Sequence, residues 1–79
     1  METEAQEIQK QVGDTAGRVF SLLQAKQGGA IALDSVRRDV GGPTVVFHMA
    51  IGWLAREDRI TFSTHGRATM VALKNSQPA

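Results

Sequence analysis

The chain contains no cysteine among its 79 residues, so neither a disulfide nor a thiolate-held metal can stabilise it. It also lacks any apolar run approaching the ~18 residues of a membrane span. The opening "METEAQE" is acidic where a secretory signal would be basic. These absences predict a cytoplasmic protein with no membrane partner. An excess of one charge is missing too, since the formal net charge is +1. Three of the eight acids, Glu2, Glu4 and Glu7, lie in the first seven residues, however, and from Ile8 onward nine basic residues face five acidic ones, a net of +4. That is a mild lean toward polyanions, well short of a basic stripe. A single domain of this size buries only roughly 60% of its unfolded surface. Its stability must therefore come from the apolar core, alone or shared with a partner chain.

Two polar ends flank a patterned middle. Residues 1–12 carry few apolar side chains, with Ile8 and Val12 at i,i+4, and read as a frayed or partner-dependent arm. The tail at 74–79, "KNSQPA", has no pattern and is expected to be disordered. Between them, Ala16, Val19, Phe20 and Leu23 recur at helical spacing, which predicts a helix from Asp14, its N-cap, to Gln27, stopped by Gly28 and Gly29. Gly17 inside it signals close packing or simple tolerance. "AIAL" at 30–33 is a short β-like segment. Asp34 then caps a two-turn helix, "SVRRDV", with Val36 and Val40 inward and Arg37 and Arg38 toward water. After the turn "GGPT", Pro43 suits the first position of a third helix. Ile60 and Phe62 alternate with Arg59, Thr61 and Ser63, His65-Gly66 makes a tight turn, and a second strand returns through Leu73.

Helix, short strand, helix, turn, helix and hairpin is the order of an α+β winged helix-turn-helix, predicted here over residues 13–73. The run "GDTAGRVFSLLQ … ALDSVRRDVG … FHMAIGWLAREDRITF" resembles a family of small prokaryotic winged helix-turn-helix proteins of unknown function, "AIGWLAREDRI" being its most specific piece. The resemblance implies the fold, self-association and no enzymatic activity. It transfers no binding residues.

The stretch "TVVFHMAIGWLARED", residues 44–58, sits where such a fold keeps its base-reading helix. Counting back from Leu54 puts Ile51, Ala50 and Phe47 on the core face. Thr44, Val45, His48, Met49, Gly52, Trp53 and Arg56 then point outward. Reading bases in the major groove relies on Arg, Lys, Asn or Gln; only Thr44 and His48 could attempt it here, since Arg56 lies at the far end of the helix. Val45, Met49 and Trp53 instead form an apolar ridge at i, i+4 and i+8. Three readings compete for it. The arm or the wing could fold over the ridge and make it core. A different partner, protein or ligand, could cover it. The favoured reading is a homodimer in which two ridges meet, with Gly52 permitting close approach.

Arg37, Arg38, Arg59, Arg67 and His65 are candidate phosphate contacts, which would position DNA without reading it. Equally, they form an ordinary solvated surface, with Arg38 paired to Asp34 and Arg56 to nearby acids. No carboxylate cluster accompanies His48 or His65, no serine sits in an activating motif, and Gly41-Gly42 follows a helix where a phosphate loop would follow a strand. No metal, cofactor, small-molecule substrate or catalysis is expected. The leading function is a homodimeric interaction module with any DNA contact weak and backbone-mediated. The alternative is a sequence-specific transcriptional regulator, which rests on analogy with the fold.

Overall fold

A computed structural model of the chain describes residues 4–26 and 29–74. In chain order these form helix α1 (Glu4–Ala25), strand β1 (Ile31–Ala32), helix α2 (Leu33–Val40), helix α3 (Thr44–Arg56), and strands β2 (Ile60–His65) and β3 (Ala68–Leu73). The strands make one antiparallel sheet in the order β1-β3-β2.

Helix α1 begins ten residues before Asp14, which is therefore an exposed mid-helix residue and not a cap. The apolar stripe explains the extension: Val12 stands four residues before Ala16, on the line that continues through Val19 and Leu23, and it packs on the core. Residues 5–11 are helical but exposed. Residues 4–12 of the segment read as an arm are thus the leading part of α1, and residues 1–3 lie outside the described residues. At the other end α1 stops at Ala25, two residues before the expected end at Gln27; Gln27 and Gly28, the first of the two expected stop glycines, lie outside the described residues, as do residues 75–79 of the tail.

Helix α2 starts at Leu33, with Ala32 as an N-cap that makes no side-chain bond, so Asp34 lies inside the first turn and does not cap it. Its carboxylate is taken instead by Arg37 and Arg38 one turn on. Val36 is fully buried, and Leu33 and Val40 pack at the margin of the core. The chain reverses toward α3 through Gly41 (φ 75°) and Gly42 (φ 81°), a consecutive left-handed pair that side-chain-bearing residues disfavour. Pro43 is the N-cap of α3, one position earlier than the sequence suggests, and its carbonyl accepts the Phe47 N–H at 3.0 Å.

Helix α3 ends in a Schellman arrangement: the Asp58 N–H donates to the Ala55 carbonyl and the Arg59 N–H to the Leu54 carbonyl, both at 3.0 Å. Asp58 takes the left-handed position (φ 63°) where glycine is usual. Its carboxylate is held by Lys74 Nζ at 2.6 Å, while the Lys74 N–H bonds the Arg59 carbonyl and prolongs the sheet by one pair. The β2–β3 hairpin closes through Gly66 (φ 62°) and Arg67, with His65 paired to Ala68, so the turn lies one residue beyond His65-Gly66.

The register Ile60↔Leu73, Phe62↔Val71 and Ile31↔Val71 puts these five side chains on the face toward the helices. Val71 and Ile60 are buried, but Phe62, on the edge strand, remains 48% exposed. With them, Ala16, Val19, Leu23, Val36, Phe47, Ala50, Ile51 and Leu54 close the core, and no polar or charged residue described is buried. Three helices against a three-stranded antiparallel sheet make the α+β winged helix that the order of elements predicts.

Candidate interaction surface on the third helix

Helix α3 is divided sharply between two faces. Val46, Phe47, Ala50, Ile51 and Leu54 are buried, and Thr44, Val45, His48, Met49, Gly52, Trp53 and Arg56 are exposed. Only Val46 adds to the core face read from the sequence, because it sits one turn before Ala50. Val45 is 60% exposed, Met49 46% and Trp53 44%, so the ridge is open within a single chain.

Helix α1 flanks the ridge without covering it. Ile8, Gln9 and Val12 form a groove with Met49 and Trp53, and Ile8 itself stays exposed. One turn further along, the Trp53 ring lies so close to Gly13 that a β-carbon there would come within 3.3 Å of Cζ3. The indole is thus seated on glycine backbone, with its outer side open. A β-carbon on Gly52 would meet nothing within 4 Å, which leaves room for another surface to approach α3 closely. Gly17 likewise has open space, so it is a tolerated glycine and not a site of close packing.

The candidate phosphate contacts are scattered. Arg37 Nε and Nη2 donate to Asp34 Oδ1 at 3.1 and 2.8 Å, and Arg38 Nη1 donates to Asp34 Oδ2 at 2.7 Å. The hydrogen bond from Arg37, then its charge, and last the charge of Arg38 hold the Asp34 carboxyl below its ordinary value, against an opposing effect of desolvation. Arg38 was expected beside Asp34, and Arg37 joins it there. Arg59 lies away from the hairpin tip, its guanidinium 5.3 Å from the centre of the Phe20 ring on α1. Of the five candidates, His65 and Arg67 share the tip of the wing and Arg37 and Arg38 share α2. None of the three ion pairs among the described residues includes Arg56, for which nearby acids were expected. On α3 itself His48 meets the Phe47 ring edge-on at 5.5 Å.

Sequence reasoning missed a feature on the far side of Trp53. There the indole, Phe20 and the small residues of α1 enclose a second concavity, with Glu57 and Arg59 at its mouth. Its signal in the sequence is Gly13 and Gly17 at i,i+4, which removes side chains from one strip of α1. Among the described residues, no group of three or more His, Asp or Glu side chains is placed to hold a metal ion. No described helix is long and apolar enough to cross a membrane.

A short strand, three helices and a β-hairpin wing, with the exposed side of the third helix facing outward, define a winged helix-turn-helix protein. The chain belongs to the winged helix-turn-helix domain family DUF2582, whose model matches residues 5–73. That match begins inside the leading turns of α1, eight residues before the resemblance read from sequence. The chain is also similar to the uncharacterized protein MJ1608 of Methanocaldococcus jannaschii, with 33% identity over 63 residues, covering 80% of this chain and 90% of that protein. No solved structure matches it significantly.

Proposed function

We propose that the protein is a homodimeric winged-helix interaction module whose third helix serves self-association, with any DNA contact weak and made to the backbone. The observation that carries this reading is the exposure of Val45, Met49 and Trp53 on the helix face where a DNA reader needs hydrogen-bonding side chains. Met49 is the middle of the three, so a two-fold axis near it pairs each ridge antiparallel with its copy, Val45 against the partner's Trp53. Gly52 lets the helices come close, and the exposed leading turns of α1, with Ile8, extend the apolar strip beside them.

The gain from covering the ridge and the cost of association are of the same order. Full burial of such a side chain is worth ~1.5–3 kcal/mol, and these are already about half buried, so Ile8, Val45, Met49 and Trp53 from two copies contribute roughly 6–12 kcal/mol in gross terms. Association costs about 4–15 kcal/mol in lost freedom and ordering. At its most favourable the difference is about 8 kcal/mol, so the dimer assembles from folded chains and is no tighter than roughly micromolar. This reading includes no catalysis and goes with a cytoplasmic protein. DNA, where it is touched, meets Arg67 and His65 at the wing and whichever of Arg37 and Arg38 is released from Asp34, while Arg59 contributes from the base of the hairpin.

Selection from a random duplex pool tests the DNA half of the proposal and should return no consensus. A palindromic consensus, lost on changing Thr44 or His48, would establish the sequence-specific regulator instead. The self-association half is tested by substitution at Met49, as developed below.

A further inference from the structure

Trp53 is a partition between two concavities. On one side lies the apolar groove with Met49, Ile8 and Val12, which continues the proposed self-association face. On the other lies a cleft of roughly 350 Å³ between α1 and the end of α3. It is lined by Gly13, Ala16 and Gly17 of α1, by the rings of Phe20 and Trp53, and by Leu54. At its mouth stand Glu57 and Arg59, two residues apart on either side of the left-handed Asp58.

These two rim charges are of opposite sign, and neither is engaged in an ion pair or side-chain hydrogen bond among the described residues. The Arg59 guanidinium lies over the Phe20 ring, 5.3 Å from its centre, and its N–H groups remain available to donate. Glu57 is the C-cap of α3, where the negative end of the helix dipole reinforces its attraction for a cation. A ligand matching this arrangement has an apolar body for the aromatic-lined cleft, a carboxylate for Arg59 and an ammonium group for Glu57. The volume lies at the low end for small-molecule sites, which suits one side chain and one zwitterionic head.

We propose that this cleft binds a free α-amino acid with a branched or aromatic side chain, held between Trp53 and Phe20 and read at its two charged ends by Arg59 and Glu57. The ligand is bound and not turned over. The site shares Trp53 with the proposed self-association face, so binding is measured at one fixed chain concentration with sedimentation beside it.

Trp53 is the single tryptophan of the chain and lines both concavities, so with the state of association held constant its fluorescence reports the cleft. The full chain is titrated with L-leucine and L-phenylalanine, then with N-acetyl-L-leucine, L-leucinamide and glycine, each lacking the ammonium, the carboxylate or the apolar body. A saturable change is expected for the two free amino acids, about tenfold weaker binding for each single-charge derivative, and none for glycine. Arg59→Met, which removes the guanidinium but keeps an unbranched chain, and Glu57→Gln should each weaken L-leucine about tenfold. Gly17→Leu should abolish binding by filling the cleft, where a β-carbon has open space, while sedimentation shows the same association as wild type. The absence of any saturable response into the millimolar range, or equal binding of the two derivatives and the parent, overturns the proposal. The derivative series needs no variant, so it decides the question even if Gly17→Leu fails to fold.

Discussion

Replacing Met49 by glutamate separates a ridge that meets a second copy from one that merely lines its own chain. Met49 is 46% exposed in the single chain, and its neighbours in the groove are Ile8, Gln9, Val12 and Trp53. A glutamate there can turn its carboxylate to water, so the folded monomer should lose only about 1 kcal/mol, roughly half the worth of a buried methionine. In the proposed dimer the same change acts twice near a two-fold axis. Two carboxylates ~5 Å apart repel by about 3 kcal/mol at an effective dielectric of 20, and two half-buried methionines are lost as well. A combined cost of ~5 kcal/mol weakens association by 10³-fold or more. Sedimentation velocity at tens of micromolar, beside far-ultraviolet circular dichroism, should therefore show a folded monomer for Met49→Glu and a dimer for Met49→Leu. Two results would refute the reasoning. One is a variant that associates like wild type, and the other is a variant that unfolds outright, because the ridge would then be internal core.

Phe47 is fully buried at the centre of the core, so Phe47→Ala should cost ~3–5 kcal/mol by urea denaturation and leave little folded protein in a domain this small. Gly17→Ala should instead stabilise by ~0.5–1 kcal/mol, since its β-carbon meets open space and the helix gains propensity. The depressed Asp34 carboxyl favours the folded state above the unfolded value of about 3.9, and that contribution fades as pH falls through the lower folded value. Asp34→Asn should accordingly flatten the acid limb of a stability-against-pH profile and free Arg37 and Arg38, which would be seen as a steeper salt dependence of any DNA binding. Binding to random duplex should be micromolar or weaker in wild type, with Arg67→Ala reducing the slope of log K against log salt by about one where that residue touches phosphate.

How much could be read in advance followed from how local each cause is. The core face of α3 was legible because Phe47, Ala50, Ile51 and Leu54 obey a single helical period, and their burial follows from that period. The outward exposure of Val45, Met49 and Trp53 followed from the same count. The start of α1 was not legible, because its first turns carry only Ile8 and Val12, and Val12 is drawn into the helix by packing against a core assembled from distant residues. Asp34 has the residue type of a cap, but Leu33 already belongs to the helix and the two arginines one turn on take its carboxylate, neither of which local pattern encodes. The position of Arg59 over Phe20 joins residues 39 apart in sequence, and no periodicity encodes it. Phe62 shares the inward alternation of Ile60 yet stays half exposed, since an edge strand runs beyond the cover of the helices.

The most direct test of the account is the mass of the unmodified full-length chain in solution, measured by sedimentation equilibrium across a dilution series from tens of micromolar downward. The account predicts twice the chain mass at the upper end, falling toward one chain on dilution as the half-buried ridge of Val45, Met49 and Trp53 is released to water. A single chain mass at every concentration would contradict it, because that ridge would then have no second copy to meet.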